Sequence, residues 1–421
     1  MDGFTGSSTA PLQEGQERGF RVPQPMARPG ETPDFSSLDI GEAGRLPKPA
    51  VDVPVSAFST FHHDLVRVLD GEGQAHGPWA DDVTTEEKVA ALKAMIRTRA
   101  FDQRMMRAQR QGKTSFYIQS LGEEGTAVGA ALALRQGDMH FPTDRQQGLL
   151  LANGVEPEAM MNQIYSNAKD PLDGKQLPTL YSFREAGYFT ISGNLGTQWP
   201  QAVGWAMASA IKKDNKIAMA WIGDGATAEG DWHTGNLFAA VYRAPVILSV
   251  VNNQWAISST NAFAGADLNT FAARLASYGI PALRVDGNDV PAVIAATRFA
   301  AERARSGLGA IGIEFITYRG GAHSTSDDPS KYRPAEELSA WPLGDPIERL
   351  KQHLAALGAV STDDAAKLEA EVETEMREAE NRAEANGLVH EGQGASPEVM
   401  FDNVYAELPS HLVKQKEEAG C

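Results

Sequence analysis

Residues 216–258 read KIAMAWIGDGATAEGDWHTGNLFAAVYRAPVILSVVNNQWAIS, and the fold is decided there. An apolar run over 217–222 breaks into Gly223-Asp224-Gly225. A helix-like segment covers 229–242, and a second apolar run over 246–251 ends in Asn252-Asn253. Two short apolar runs with a helix between them read as buried parallel strands of a βαβ unit. Open sheets of that kind take ligands at the carboxyl ends of their strands. Asp224 and Asn253 both fall at such ends, so they are expected to converge although 29 residues separate them.

The donors at that convergence are a carboxylate, an amide oxygen and a loop carbonyl. Hard oxygen ligands of this kind suit Mg²⁺, which takes its remaining ligands from water and substrate phosphates. The glycines let backbone N–H groups approach an anion, and the helix after the first strand offers its positive end. The stretch therefore reads as a site for a metal-bridged diphosphate. The plain alternative is a DG turn closing a core strand, with the two asparagines as an ordinary loop. The asparagine pair at the end of the next strand favours the site.

Outward from this unit the pattern repeats. Residues 283–285 read as a strand, 291–305 as a helix and 310–318 as another strand, which supports a doubly wound sheet. Upstream, Thr84 and Glu87 make a capping box for a helix that Gly112 stops. Gly122-Glu123-Glu124-Gly125 precedes a small-residue run over 127–134, expected to be a buried helix. Both glutamates are open to a cofactor role, but the plainer reading is acidic residues at a helix N-terminus. Pro157 marks another helix start, and 200–213 reads as a helix rich in Gly and Ala. The polar loop 319–328 carries His323, and its place after a strand favours a functional role over a merely satisfied histidine.

Residues 1–60 are rich in Gly, Pro and Ser and read as an extended or disordered arm, with docking onto a partner as the alternative. Residues 61–335 read as the ligand-binding domain and 336–421 as a helical segment, in which Ala365, Leu368, Val372, Met376, Ala379 and Ala383 share a face. The Glu-rich remainder of that helix reads as solvated. A net charge of −17 argues against nucleic acid as a partner. The single cysteine, Cys421, fits a reducing compartment, and no apolar run approaches membrane-spanning length. Asp2, Glu14, Glu17 and Glu31 weigh against a transit peptide, so a cytoplasmic protein is expected.

GDG followed by NN resembles the cofactor motif of thiamine diphosphate enzymes, and residues 61–415 resemble 2-oxo acid dehydrogenase α subunits. TSFYIQSLGEEGTAVG (114–129), ISGNLGTQWPQAVG (191–204), LRVDGNDV (283–290) and TYRGGAHSTSDDPSKYR (317–333) are most similar to the branched-chain 2-oxo acid dehydrogenases. The resemblance implies a thiamine diphosphate-binding α/β fold, a parallel sheet with helices on both faces. It implies that Asp224, Asn253 and the Trp255 carbonyl hold Mg²⁺. Arg145, Gly225, Ala226 and His323 would bind the diphosphate, with Gly193 and Leu195 against the rings. Ser192, Asn194, Thr197 and Gln198 match the positions of a structural K⁺ site. His323 would also assist acyl transfer, and the position of Ser324 is phosphorylated in some members.

The implied reaction is oxidative decarboxylation of branched-chain 2-oxo acids with acyl transfer to a lipoyl arm of a dihydrolipoyl acyltransferase core. The implied assembly is α₂β₂, with the β subunit supplying a glutamate that activates the cofactor. Two departures stand out: Asp144 occupies a position that is usually aromatic in the family, and Val251 one where some members carry Arg. Pyruvate or acetoin dehydrogenase is the nearest rival. A dinucleotide-binding protein would need a third glycine that 223–228 lacks. A non-catalytic scaffold with an acidic tail is the remaining alternative.

Overall fold

The computed structural model describes residues 22–36, 38–389 and 396–421. Its strands are β1 (Leu65–Val66), β2 (Met139–Phe141), β3 (Ala218–Gly223), β4 (Val246–Asn252), β5 (Trp255–Ala256), β6 (Ser259–Thr260), β7 (Ala282–Asp286) and β8 (Ile311–Ile316). Six of them form one parallel sheet in the order β1-β7-β8-β4-β3-β2, and β5 and β6 form a small antiparallel hairpin. The helices before β3 are α1 (Thr85–Arg110), α2 (Glu124–Ala133), α3 (Gln147–Ala152), α4 (Pro157–Tyr165) and α5 (Gln198–Lys212). Then come α6 (Gly230–Val241), α7 (Phe271–Ala276), α8 (Val290–Arg303), α9 (Glu337–Ala340), α10 (Pro346–Ala356), α11 (Thr362–Ala385) and α12 (Ser410–Glu418).

Period-two alternation along the strands builds two cores. Met219 and Trp221 of β3 pack with Leu92 of α1, Val128 of α2 and Val293 of α8. Ala218, Ala220 and Ile222 face the other way, toward Val203 of α5, Trp232 of α6 and Phe271 of α7. Each large aliphatic side chain so buried contributes about 1.5–3 kcal/mol. Helices therefore cover both faces, as expected. The small residues of α2 have a visible purpose: a Cβ on Gly129 would lie 2.6 Å from Val293 Cγ1, so glycine brings α2 onto α8.

The α1 cap forms as the sequence suggests, with the Thr84 hydroxyl accepting from Glu87 N–H (3.2 Å) and Glu87 Oε2 accepting from Thr84 N–H (2.9 Å). The Gly/Ala-rich helix begins two residues early, at Gln198, because Pro200 in its first turn removes a donor that had no partner there. One expectation is corrected. The Glu-rich side of α11 is not simply solvated, since Glu373 and Glu380 pair with Arg104 of α1 and Glu375 with Arg97 at 2.7 Å. Sequence periodicity sees apolar stripes, not arginines arriving from a distant helix.

Part of the expected N-terminal arm, residues 1–21 and 37, lies outside the described residues. The rest runs over its own chain, irregular but for a 3₁₀ turn at Val55–Phe58, and Phe35 meets the Trp341 ring edge-on at 5.2 Å. Among the described residues no helix is long and apolar enough to cross a membrane.

A buried polar pair ties the N-terminal half to the tail. His353 of α10 donates through Nδ1 to the Gly73 carbonyl (2.8 Å), leaving Nε2 to accept from Lys88 Nζ of α1 (3.1 Å). Burial lowers the His353 pKa from its ordinary 6.5. The unfolded chain therefore binds the proton first, and stability is lost as pH falls through that ordinary value. Urea unfolding from about pH 7.5 to about pH 5.5 should cost wild type about 1 kcal/mol more than the His353→Gln variant. Equal slopes would contradict the assignment.

Candidate active site

Three neighbouring strands, β3, β4 and β8, end at one place. Gly223 is in register with Val251, and Asp224 N–H donates to the Val251 carbonyl at 3.2 Å. Asp224 and Asn253 consequently line one cavity of about 380 Å³ at the carboxyl edge of the sheet, together with Glu123, Arg145 and His323.

Asp224 is 1% exposed. Its Oδ1 accepts from Gly225 N–H at 2.6 Å, while the buried Oδ2 has no partner. Burial pushes its pKa up to about 6. A carboxylate oxygen left bare away from water is costly unless a cation meets it. Asn253 donates through Nδ2 to Glu123 Oε1 (3.0 Å), which fixes the amide orientation; its Oδ1 accepts only a 3.2 Å bond from Trp255 N–H. The Trp255 carbonyl accepts from Arg319 Nη1 at 3.1 Å and keeps a second lone pair. One carboxylate, one amide oxygen and one carbonyl fit a hard divalent ion that draws other ligands from water and phosphate.

Gly225 is required here, because a Cβ would lie 2.2 Å from Ala256 Cβ of the hairpin. Gly225 opens a short 3₁₀ turn, Gly225–Ala228, before α6 begins at Gly230. The N–H groups nearest the cavity thus belong to this turn, not to the α6 N-terminus that the sequence reading invoked.

Arg145 is 6% exposed and joins three groups. Its Nε lies 3.5 Å from Glu123 Oε1, Nη1 donates to the Gln119 carbonyl, and Nη2 donates to the His323 carbonyl at 2.9 Å. Nη2 also lies 3.3 Å from His323 Nδ1. A guanidinium can only donate, so Nδ1 accepts and the imidazole proton resides on Nε2. Burial, and then the Arg145 charge, hold the His323 pKa well below its ordinary value, so the ring is neutral.

The loop that presents His323 is tied from below. Arg319 donates to Tyr332 Oη (2.7 Å), which donates to Asp327 Oδ2 (2.6 Å), and the same carboxylate oxygen accepts from His323 N–H (2.7 Å). Arg333 Nη1 reaches the Arg319 carbonyl and Nη2 the Gly321 carbonyl, each at 2.7 Å. Ser324 is buried within this loop.

The structure separates the two glutamates that the sequence left together. Glu124 serves the fold: it is fully buried, 2.7 Å from Arg99 Nε, and accepts from Gly122 N–H. Breaking a buried pair from one side costs about 3–5 kcal/mol, so Glu124→Ala should lower the unfolding free energy by that amount. A denaturant titration showing less than about 1 kcal/mol would refute the role. Glu123 faces the cavity and touches both Asn253 and Arg145, and burial raises its pKa to about 7. The sequence leaves a cofactor role open for both glutamates and prefers the helix-start reading, and the GEEG motif alone does not tell them apart.

In the loop 191–198, Leu195 and Gln198 line the cavity. Gly193 is not among the lining residues, and a Cβ there would have only Leu180 within reach, at 3.9 Å. Ser192 Oγ accepts from Asn194 N–H and Thr197 Oγ1 donates to the Asn194 carbonyl, both at 3.1 Å, so these three close on one another. Gln198 Nε2 donates instead to the Trp221 carbonyl at 2.7 Å. Asp144 and Val251 both reach the cavity wall.

Residues 92–391 match the family model described as dehydrogenase E1 component, and residues 17–56 match the 2-oxoisovalerate dehydrogenase E1 alpha subunit N terminal. The chain is similar to the 2-oxoisovalerate dehydrogenase subunit alpha of Pseudomonas aeruginosa, 55% identical over 401 residues, 95% of this chain and 98% of the relative. It is also similar to the mitochondrial subunit alpha of Homo sapiens, 39% identical over 84% of this chain and 78% of that one. The mitochondrial subunit alpha 1 of Arabidopsis thaliana is 37% identical over 83% of this chain and 73% of its own length.

Proposed function

This chain belongs to the 2-oxoisovalerate dehydrogenase α subunits of the dehydrogenase E1 component family, and from that premise we propose how its cavity serves the reaction. The family implies thiamine diphosphate, a β subunit and an acyltransferase core. The substrates are branched-chain 2-oxo acids; pyruvate or acetoin dehydrogenase is not favoured by the relatives.

Mg²⁺ is held by Asp224, Asn253 and the Trp255 carbonyl, and the observation that carries this is the buried Asp224 Oδ2 without a partner. Arg145, the Gly225 and Ala226 N–H groups and His323 Nε2–H bind the diphosphate side, with Leu195 toward the rings and Gly193, off the cavity lining, supporting them only through the loop that carries Leu195. Bound thiamine diphosphate supplies a carbon nucleophile and an electron sink for decarboxylation. The chain's own part is positioning and electrostatics: Glu123 orients the Asn253 amide, and Arg145 keeps the His323 proton on Nε2. K⁺ is assigned to Ser192, Asn194, Thr197 and Gln198, a role that requires the hydrogen bonds among Ser192, Asn194 and Thr197 to rearrange. The arm, the cofactor-binding body and the helical segment meet at residues 60/61 and 335/336 in this reading, and the assembly is an α₂β₂ heterotetramer in the cytoplasm.

The β subunit must complete the site, because a single GDG…NN unit serves one half of the cofactor. The chain purified alone should be inactive with thiamine diphosphate and Mg²⁺, and co-expression with the β subunit should restore turnover of 3-methyl-2-oxobutanoate. Full activity of the isolated chain would overturn the assignment.

A further inference from the structure

The hairpin β5–β6 carries a strained residue at the cavity mouth. Its two-residue turn places Ile257 at φ 53°, in the left-handed region. Turns with positive φ at the first central position are normally given to Gly, Asn or Asp. For a β-branched residue that conformation is a true outlier, and strain of this kind collects where function over-determines the backbone.

Two contacts hold it there. Arg319 Nη1 donates to the Trp255 carbonyl (3.1 Å) and Nη2 to the Ile257 carbonyl (2.8 Å), clamping the hairpin from within the fold. The hairpin also lies against Gly225 with no room for a Cβ, so its height above the Asp224 turn is fixed. Ile257 is nonetheless 51% exposed and lines the cavity, with Phe263, 57% exposed, in the same wall. An apolar side chain that is neither buried nor relaxed gains nothing for the fold by being isoleucine. Glycine would fit the turn with less strain.

We propose that Ile257 is a specificity-determining residue, the wall against which the side chain of a branched 2-oxo acid packs. The proposal rests on the function given above and refines it: the Arg319 clamp sets pocket depth, so a short branched chain fills it and a longer one meets Ile257 sooner. The Ile257→Gly variant should open that wall.

The test uses the α/β complex and the ratio of kcat/KM for 3-methyl-2-oxobutanoate to that for 4-methyl-2-oxopentanoate. One methylene in an apolar pocket is worth about tenfold or more, so Ile257→Gly should lower the ratio by about tenfold. Ile257→Val, which keeps the branch and loses one methyl, should lower it by about threefold and remains readable if the glycine variant does not fold. Thiamine diphosphate affinity is measured alongside. An unchanged ratio in the folded variants would overturn the proposal, as would a parallel loss of both substrates and cofactor, which would make Ile257 a support for the hairpin. A wild-type complex that turns over neither acid would instead overturn the function on which the proposal rests.

Discussion

Asp224→Ala, assembled with its β subunit, is expected to lose Mg²⁺-dependent thiamine diphosphate binding by at least about 100-fold, the scale set by loss of metal-site partners. The reason is local. Asp224 brings the only carboxylate among the three proposed ligands, and its Oδ2 is buried and accepts no hydrogen bond. Removing it leaves an amide and a carbonyl, neither of which carries the charge that offsets dehydration of a divalent ion. The same variant should be no less stable than wild type without ligand, because a lone buried carboxylate is a cost to the fold. Ligand-linked stabilisation separates the two effects: thiamine diphosphate with Mg²⁺ should raise the Tm of wild type and leave Asp224→Ala unmoved. Asp224→Asn, which keeps the shape and removes the charge, should behave like the alanine variant. A variant complex that still shows the full Mg²⁺-dependent shift would place the metal elsewhere.

Much of this arrangement was legible in residues 216–258. The runs at 217–222 and 246–251 became β3 and β4 within a residue or two, since fully buried parallel strands are written as continuous apolar runs. Their polar ends met because parallel register forces it: Gly223 opposite Val251 leaves Asp224 and Asn253 at one edge. Charge partners across the fold were not legible. Glu123 and Glu124 are adjacent in sequence, yet one faces the cavity and the other Arg99, a division made by the turn into α2 that no periodicity reports. Arg319 was visible only as a neighbour of His323. Its hold on two hairpin carbonyls depends on how the chain after β8 passes beneath the hairpin after β4. The left-handed Ile257 was hidden too, because turn statistics would put a glycine there.

His323→Phe should lower kcat by about 10²–10⁴-fold, the range that one positioned proton donor or acceptor supplies. Thiamine diphosphate affinity should change by no more than about 100-fold, since one hydrogen bond to a charged group is worth about 1.5–3 kcal/mol. That split follows from the chemistry of the ring. Arg145 can only donate, so it fixes Nδ1 as an acceptor and leaves Nε2–H as the donor turned to the diphosphate side, where it also serves turnover. The same guanidinium, with burial, holds the ring neutral, so His323 itself should contribute no acid limb to the rate between about pH 6 and pH 8. An imidazole in solution would titrate through that window. The loop contacts make the geometry stiff: Asp327 receives both the His323 N–H and the Tyr332 hydroxyl. Tyr332→Phe leaves the ring intact but loosens its backbone, so it should lower kcat by a smaller factor, about tenfold, at unchanged metal dependence. If His323→Phe instead abolished cofactor binding while Tyr332→Phe did nothing, the histidine would be a diphosphate anchor alone, and the proton on Nε2 would have no part in turnover.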